Sequence, residues 1–166
     1  MPCYVLMGVS GCGKSSVGEA LSARCQIDFI DGDDLHPPAN IAKMSSGEPL
    51  DDADRAPWLA AVGQALAQHH GPAIIGCSAL KRRYRDWIRQ EVSEPLHFLH
   101  LDAARDVLAE RVQERRDHFM PTSLLDSQFA ALEPLQRDEL GAAIDISRPL
   151  DAVIRESEAY VKGTMT

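Results

Sequence analysis

One segment near the start of the chain restricts the possible folds more than any other. The apolar residues 3–7 (CYVLM) lead directly into residues 8–15 (GVSGCGKS), which fit the phosphate-binding pattern G-x-x-x-x-G-K-[ST]. The pattern predicts a buried strand, then a loop whose backbone N–H groups converge on a polyphosphate, then a helix that begins near Lys14. The alternative is a glycine-rich turn with a surface lysine, but the four fixed positions coincide by chance in only about one per cent of chains this long. The sequence therefore predicts a P-loop that binds a nucleoside triphosphate.

Each part of this loop has a predicted role. A side chain at a crowded position would block the phosphates, so the glycines keep the concavity open. Lys14 is expected to reach the β and γ phosphates, and Ser15 is expected to offer its hydroxyl to Mg²⁺. The residues of the loop that we predict to bind the nucleotide are Gly8, Ser10, Gly11, Cys12, Gly13, Lys14, Ser15 and Ser16.

Composition narrows the class of protein further. The 166 residues fit a single domain over residues 1–166, and 45% apolar with 5% aromatic residues suits an α/β core. The formal net charge of −8 disfavours a nucleic-acid partner, because a phosphate backbone repels an acidic chain. No apolar stretch approaches the roughly 20 residues that span a bilayer, so we expect a soluble, cytoplasmic protein. Cys3, Cys12, Cys25 and Cys77 show neither C-x-x-C pairing nor zinc-type spacing and are expected to be reduced.

Short β-rich apolar runs alternate with stretches of helical period along the whole chain. This alternation predicts a five-stranded parallel sheet with helices on both faces. The predicted strands are residues 4–7, 27–30, 73–76, 97–101 and 143–146, and the predicted helices are residues 14–25, 52–69, 80–91, 104–115, 123–132 and 150–162. Two insertions interrupt the alternation at about residues 33–70 and 114–128. We expect the first to form a helical flap over a second substrate and the second to form a lid.

Carboxylates follow the second predicted strand. Asp31 and Asp33 would face the same side of an extended segment, and if that side faces the P-loop, one can orient Mg²⁺ through water while the other accepts a proton from a substrate hydroxyl. The alternative is a solvated Asp-Gly-Asp-Asp turn, which the nearby P-loop disfavours. The third predicted strand ends in Cys77 and Ser78 instead of a metal-holding Asp. This absence favours a small-molecule kinase whose Mg²⁺ is managed by Ser15 and Asp31.

The predicted flap contains a helix start and one unusual cation. Asp51 or Asp52 is expected to cap the helix, and Trp58 is expected to pack in the flap. Arg55 lies in the first turn, where a cation opposes the helix dipole. An anionic ligand or a nearby Asp must therefore compensate its charge.

Two further pairs of cations share helical faces. Lys81 and Arg85 lie four residues apart after the third strand, which favours recognition of a substrate carboxylate over a solvated basic face. Arg111 and Arg115 lie four apart before the lid and are expected to contact the β and γ phosphates, the alternative being pairing with the helix dipole. The sequence leaves the role of Arg116 open, and His118 is expected to pack within the lid.

Several segments together resemble bacterial-type gluconokinases, and the match runs nearly end to end. They are residues 7–15, 31–37 (DGDDLHP), 40–44 (NIAKM), 47–59, 77–86 (CSALKRRYRD), 128–133 (QFAALE) and 144–150 (IDISRPL). Shikimate kinases share the P-loop and the paired Asp residues, but they carry a glycine triplet where this chain has Cys77-Ser78-Ala79. Cys12 stands where similar proteins often have Ser, and we expect nucleotide binding to survive because backbone N–H groups do most of the work there.

The resemblance implies a nucleoside-monophosphate-kinase-like P-loop NTPase fold with strand order 2-3-1-4-5. It also implies ATP:D-gluconate 6-phosphotransferase activity, ATP with Mg²⁺ as cofactors, and often a homodimer. Asp33 would be the base for the 6-hydroxyl, and Arg111 and Arg115 would be lid arginines. The residues around the polyol or its carboxylate would be His36, Arg55, Lys81 and Arg85.

The sequence-based hypothesis is in-line transfer of the γ-phosphoryl group of Mg·ATP to gluconate. Lys14 and Arg115 would neutralise charge while Asp33 takes the proton. One alternative is phosphorylation of another small hydroxy acid by a shikimate-kinase-like enzyme. Another is a nucleotide-dependent binding module without catalysis, which the paired Asp residues disfavour because such a module needs no proton acceptor.

Overall fold

The computed structural model describes residues 1–114 and 122–165. In this part of the chain, five parallel strands form one sheet in the order β2-β3-β1-β4-β5, which confirms the expected topology. The strands are β1 (Cys3–Met7), β2 (Asp28–Asp31), β3 (Ala73–Gly76), β4 (Leu96–Asp102) and β5 (Gly141–Asp145). The helices are α1 (Lys14–Cys25), α2 (Pro38–Ser45), α3 (Asp52–Gln68), α4 (Arg82–Arg89), α5 (Arg105–Glu114), α6 (Thr122–Ala131) and α7 (Leu150–Thr164).

The central strand β1 divides the core into two layers. All five of its residues are buried, and successive side chains point to opposite faces of the sheet. Tyr4 and Leu6 join the cluster that contains Leu21 of α1 and Val161 of α7. The other residues of β1 join the cluster formed with α3 and α4. A strand covered on both faces reads as a continuous apolar run, which is why the sequence identified it so clearly.

The parallel register aligns the carboxyl ends of the central strands at one edge. Asp31 of β2 pairs with Gly76 of β3, and Gly76 pairs with Leu6 of β1 just before the P-loop. Gly32 packs closely here, since a Cβ on it would lie 2.2 Å from the carbonyl oxygen of Gly76. A Cβ on Gly76 would in turn lie 3.8 Å from Cβ of Lys14. Two glycines thus bring the acidic loop after β2 close to the P-loop.

The segment predicted as a flap is helical. A 3-10 turn (Gly32–Leu35) leads into α2, and Asp51 then caps α3 in a capping box with Asp54, as expected for one of the two candidate caps. The interpretation of Trp58 as a packed residue also holds, because only 4% of it is exposed. That this segment closes over a substrate as a flap stays a prediction. Much of the predicted lid, with Arg115, Arg116 and His118, lies outside the described residues.

Helix α4 begins later than predicted. The sequence suggested a start at residue 80, but α4 begins at Arg82, where Lys81 occupies the N-cap position and makes no side-chain capping bond. Ala79 has a φ of 45° and is fully buried. This left-handed conformation, which is uncommon for a residue other than glycine, prevents the helix from starting at residue 80. No local feature of the sequence predicts it. The four cysteines are free, in agreement with the expected reduced thiols.

Candidate active site

The P-loop adopts a shape suited to phosphate. Gly8 has a φ of 146°, and a Cβ on it would lie 2.8 Å from both Sγ of Cys12 and the carbonyl oxygen of Leu101, so only glycine fits. Gly13, with a φ of 98°, is the N-cap of α1. The helix therefore begins at Lys14 and directs its N–H groups and positive dipole end toward the loop. Nζ of Lys14 donates to the carbonyl oxygens of Gly8 at 2.9 Å and Val9 at 3.2 Å.

The acidic loop after β2 is held by hydrogen bonds on both sides. Oδ1 of Asp31 accepts from the backbone N–H of Asp33 at 3.0 Å and so caps the 3-10 turn. Nε1 of Trp58 donates to the carbonyl oxygen of Gly32 at 2.8 Å. These bonds fix the backbone from which the Asp33 side chain projects, although Asp33 itself is exposed.

Asp33 and Lys14 are electrostatic neighbours. Partial desolvation of its carboxyl group raises the pKa of Asp33, and the carboxylate of Asp31 raises it further, while Lys14 and His36 act in the opposite direction. A raised pKa makes the carboxylate a better proton acceptor, provided that it is ionised at the working pH. The acid after β2 and the P-loop lysine therefore lie close enough to interact electrostatically.

His36 stacks on Trp58, with ring centroids 4.0 Å apart. Its Nδ1 lies 3.2 Å from the side-chain nitrogen of Asn40, a donor that engages the unprotonated face of the ring. Burial lowers the pKa of His36, Asp33 raises it and Arg55 lowers it. The imidazole is thus set up as a neutral hydrogen-bonding group beside Asp33.

A group of charged residues, half-buried except for the exposed Arg83, lies around Tyr84. We call this group the open cluster, and it consists of Asp52, Arg55, Lys81, Arg83 and Tyr84. The Tyr84 hydroxyl donates to Oδ1 of Asp52 at 2.6 Å and accepts from Nη1 of Arg55 at 3.3 Å. The charged ends of Arg55 and Lys81 lie 5.4 Å and 5.7 Å from the ring centroid, within cation–π range.

The charges of the open cluster do not balance. Its three cations share one carboxylate, Asp52, which Arg83 contacts at 2.6 Å and Arg55 approaches at 3.9 Å. Arg55 lies in the first turn of α3, where its charge opposes the helix dipole, and the nearby Asp52 compensates that charge only in part. Burial, followed by the bond to Asp52, raises the pKa of Tyr84 to about 12, so the hydroxyl stays neutral. The cluster thus attracts an anion.

Arg85 departs from the sequence-based expectation. Its side chain is fully buried and ion-paired with Glu139, with Nε at 2.7 Å and Nη2 at 3.0 Å from the two carboxylate oxygens. The remaining N–H groups donate to the carbonyl oxygens of Ala79, Leu80 and Pro134. The expectation that Arg85 binds the substrate carboxylate is therefore wrong for this structure, because its fork is fully used by the protein and has no exposed surface.

Arg111 lies at a cavity beside the P-loop. The cavity has a volume of about 300 Å³ and is lined by Gly11–Gly13 on one side and by Arg111, Ile146 and Arg148 on another. A guanidinium N–H of Arg111 donates to the carbonyl oxygen of Ile146, which fixes the side chain near the loop after β5. Of the two arginines expected to contact the terminal phosphates, Arg111 borders this cavity. Arg115 lies outside the described residues.

Sequence reasoning missed three residues that organise this region. Tyr84 and Glu139 are ordinary in type and position, and only their partners across the fold make them notable. Gln128 belonged to a segment that resembled the family but had no assigned role. Its side chain bonds to Ser10 of the P-loop across 118 positions of sequence, a separation that no local pattern reveals.

Metal-ligand geometry is sparse in the described part of the chain. No group of three or more His, Cys, Asp and Glu side chains there could hold an ion. Ser15, at the start of α1, and Asp31, at the end of β2, lie on the elements that the sequence nominated for Mg²⁺. Among the described helices, none is long and apolar enough to cross a bilayer.

Comparisons with known proteins agree with this geometry. The sequence model of a family described as an AAA domain matches residues 4–135. A gluconokinase of Gluconobacter oxydans (strain 621H) is 47% identical over 92% of this chain and 86% of its own length. The crystal structure of a gluconokinase from Sinorhizobium meliloti 1021 has a TM-score of 0.90 at 48% identity, covering 99% of this chain and 93% of that one. A shikimate kinase from Acinetobacter baumannii has a TM-score of 0.65 at 15% identity and shares only the fold.

Proposed function

This chain belongs to the gluconokinase family of P-loop kinases, and we propose that it transfers the γ-phosphoryl group of ATP to D-gluconate, giving 6-phospho-D-gluconate and ADP. The transfer is an in-line displacement. The 6-hydroxyl oxygen forms a bond to the γ phosphorus while the bond to the β–γ bridging oxygen breaks. The hydroxyl proton passes to a carboxylate of the protein.

The P-loop supplies the phosphate site. Its glycines admit the polyphosphate to the N-terminus of α1, where Ser15 and Ser16 are exposed at the first turn. Lys14, which bonds to its own loop in this structure, is proposed to turn to the β and γ phosphates when they bind. Its charge would stabilise the negative charge that develops in the transition state, and we propose the same role for Arg111 and Arg115.

The proposed base is Asp33. It is supported by the raised pKa and by the neighbouring charge of Lys14, which links the carboxylate to the site of the γ phosphate. His36 stands beside it as a neutral hydrogen-bond partner for a polyol hydroxyl. We propose that Asp33 and His36 together orient the reacting end of the sugar acid.

The far end of the substrate carries a carboxylate. We propose that Arg55 and Lys81 of the open cluster bind it, because their charge exceeds that of Asp52 and both lie against Tyr84. The proposal for Lys81 keeps the sequence-based role. Arg85 is not included, because its guanidinium is fully engaged by Glu139 and by backbone carbonyl groups.

The cavity beside the P-loop is proposed to hold the nucleoside. It joins the phosphate-binding glycines to Arg148, whose flat guanidinium face suits a purine ring, while Arg111 on the same cavity keeps its proposed role toward the phosphates. Ser15 and Asp31 would hold Mg²⁺ directly or through water, and the ion would neutralise negative charge on the phosphates. In the described part of the chain the protein offers few ligands, which fits an ion held mainly by the nucleotide.

A homodimer and a cytoplasmic location complete the proposal. Both are supported by family resemblance alone. The described helices offer no membrane span, which is compatible with this location. Light scattering coupled to size-exclusion chromatography would report the oligomeric state directly.

The observation that carries the proposal is the shared electrostatic environment of Asp33 and Lys14. Asp33→Asn should lower kcat by about a hundredfold or more while leaving ATP affinity within about threefold, because the amide cannot accept the proton. Asp34→Asn, on the exposed neighbour, is the matched control. A coupled assay of ADP release across gluconate, shikimate and neutral polyols provides the measurement. Unchanged turnover in Asp33→Asn would remove this residue from the mechanism, and preference for another acid would redefine the substrate.

A further inference from the structure

The P-loop contacts a distant helix through a pair of reciprocal hydrogen bonds. The backbone N–H of Ser10 donates to Oε1 of Gln128 at 2.6 Å, and Nε2 of Gln128 donates to the Ser10 hydroxyl oxygen at 2.9 Å. We propose that Gln128 is a positioning residue, which holds the first half of the P-loop in the shape that accepts the terminal phosphate of ATP. This inference rests on the phosphoryl transfer proposed above.

Ser10 lies in the first half of the loop, which does not line the proposed nucleoside cavity. That cavity is lined by Gly11, Cys12 and Gly13, but Ser10 is not among its lining residues. Nζ of Lys14 lies against the carbonyl oxygens of Gly8 and Val9, so a triphosphate that extends from the cavity toward Lys14 would bring its last phosphate near the earlier loop residues. The geometry of Ser10 therefore bears on ATP more than on ADP.

The loop needs an external restraint. Three of its six residues from 8 to 13 are glycines with positive φ, namely Gly8, Gly11 and Gly13. Glycine loses more conformational freedom on ordering than any other residue, so a glycine-rich loop is costly to hold in one shape. Gln128 restrains both the backbone and the side chain of Ser10, and so pre-organises the loop before the nucleotide arrives.

Gln128 is itself well anchored. It lies on α6, whose Leu125 is buried in the core at 1% exposure. Its carbonyl oxygen accepts from the N–H of Leu132 at 2.9 Å, and the next residue, Glu133, donates its N–H to the carbonyl oxygen of Leu80 at 2.7 Å. A side chain on such a support can impose a position on the loop instead of following it.

The amide group is required for this pair of bonds. Oε1 accepts from an N–H while Nε2 donates to a hydroxyl oxygen, and one side chain must do both. Methionine has nearly the same length but replaces neither bond. Glutamate can accept from the N–H and the hydroxyl of Ser10, but it adds a negative charge beside the expected terminal phosphate.

The test measures the affinities for ATP and ADP separately, without gluconate, by displacement of a fluorescent nucleotide. Gln128→Met should weaken ATP binding by about tenfold and ADP binding by less than about threefold. Gln128→Glu should weaken ATP binding further, and the additional loss should shrink as salt is raised. Ser10→Ala should have a smaller effect than Gln128→Met, because the backbone N–H remains.

Asp126→Asn is the matched control on the same helix. Asp126 pairs with Arg105 of α5, so its loss should lower the melting temperature without changing the ratio of ATP to ADP affinity. If Gln128→Met and Gln128→Glu both fold and keep the wild-type ratio, Gln128 only stabilises the fold and the proposal is wrong. If Gln128→Met does not fold, the ratio of ATP to ADP affinity is measured in the isosteric Gln128→Glu and in Ser10→Ala. An unchanged ratio in both would then reject the proposal.

The readout also separates this inference from the proposed function. A changed ATP-to-ADP ratio in a protein that fails to phosphorylate gluconate would support the role of Gln128 and reject gluconate as substrate. An unchanged ratio in an active gluconate kinase would do the reverse.

Discussion

Two groups of cations on and around α4 differ in how fully their charges are paired with carboxylates. The open cluster surrounds Tyr84 and has three cations for one carboxylate. The other group, which we call the closed cluster, consists of Arg82, Arg85, Asp86, Arg89, Asp138 and Glu139. At its centre the side chains of Arg85 and Glu139 are both fully buried, and Arg89 pairs with the same carboxylate. Residues Lys81 to Arg85 are nearly all basic, yet the fold directs them to two different tasks.

The difference lies in how completely each charge is paired. Arg85 donates to five acceptor atoms and has no exposed surface, so its charge is used for architecture. Arg55 retains 31% side-chain exposure and shares Asp52 with Arg83, so its charge is available. A buried and satisfied cation stabilises a fold conformation, whereas a half-buried and under-compensated one is suited to a ligand.

The largest expected effect concerns stability. Arg85→Met should lower the free energy of unfolding by about 3 to 5 kcal/mol, because it leaves the buried Glu139 carboxylate with reduced compensation. Urea unfolding measures this change. Arg83→Met is the control on the same helix, since the Arg83 side chain is 59% exposed, and it should cost less than about 1 kcal/mol. Equal losses in the two variants would contradict the distinction between the clusters.

The closed cluster also predicts an acid-side dependence of stability. Although burial opposes it, hydrogen bonds from Arg85, Gln136 and Arg89 lower the pKa of Glu139 to about 2, from 4.5. The stabilisation is therefore complete above about pH 4.5, decreases as the pH falls toward 2, and amounts to roughly 3 kcal/mol. In urea unfolding from pH 7 to 3, the stability gap between wild type and Glu139→Gln should narrow only on the acid side. A gap that stays constant would mean that the Glu139 charge does not carry the stabilisation.

The smallest expected effect belongs to the open cluster. Lys81→Met should raise the KM for gluconate by about tenfold, equivalent to about 1.4 kcal/mol, with kcat and stability nearly unchanged. The reason is that Lys81 contributes to ground-state binding of a carboxylate and is not buried. Steady-state kinetics at saturating ATP test this. If Arg85→Met folds and raises the same KM equally, the two clusters act as one site and the comparison fails.

Much of the fold was predictable because its signals are local. The strand Ala73–Gly76 and the helix Lys14–Cys25 have the bounds that the sequence predicted, since an apolar run and a P-loop define them within a few residues. The start of α4 was not predictable in this way. The carbonyl oxygen of the left-handed Ala79 accepts a hydrogen bond from Nη1 of Arg85 at 2.9 Å, so a tertiary contact sustains a conformation that alanine alone disfavours.

The residues of the candidate site also separate into those with a local sequence signal and those that depend on tertiary contacts. Lys14 and Asp33 were identified from motif and strand end, because parallel strands deliver their carboxyl ends to one edge. Arg85 was misjudged, because its spacing from Lys81 describes one helix face and says nothing of Glu139, 54 residues away. Gln128 was missed for the same reason.

The amino-acid sequence alone determined that this chain forms a phosphate-binding loop on a parallel sheet, since those features depend on neighbours within a few residues. The tertiary structure alone decided which cations stay available to a ligand and which are buried and ion-paired in the core. The physical reason is that the pairing of a charge depends on how deeply it is buried and on which distant acid or amide the folded chain brings to it.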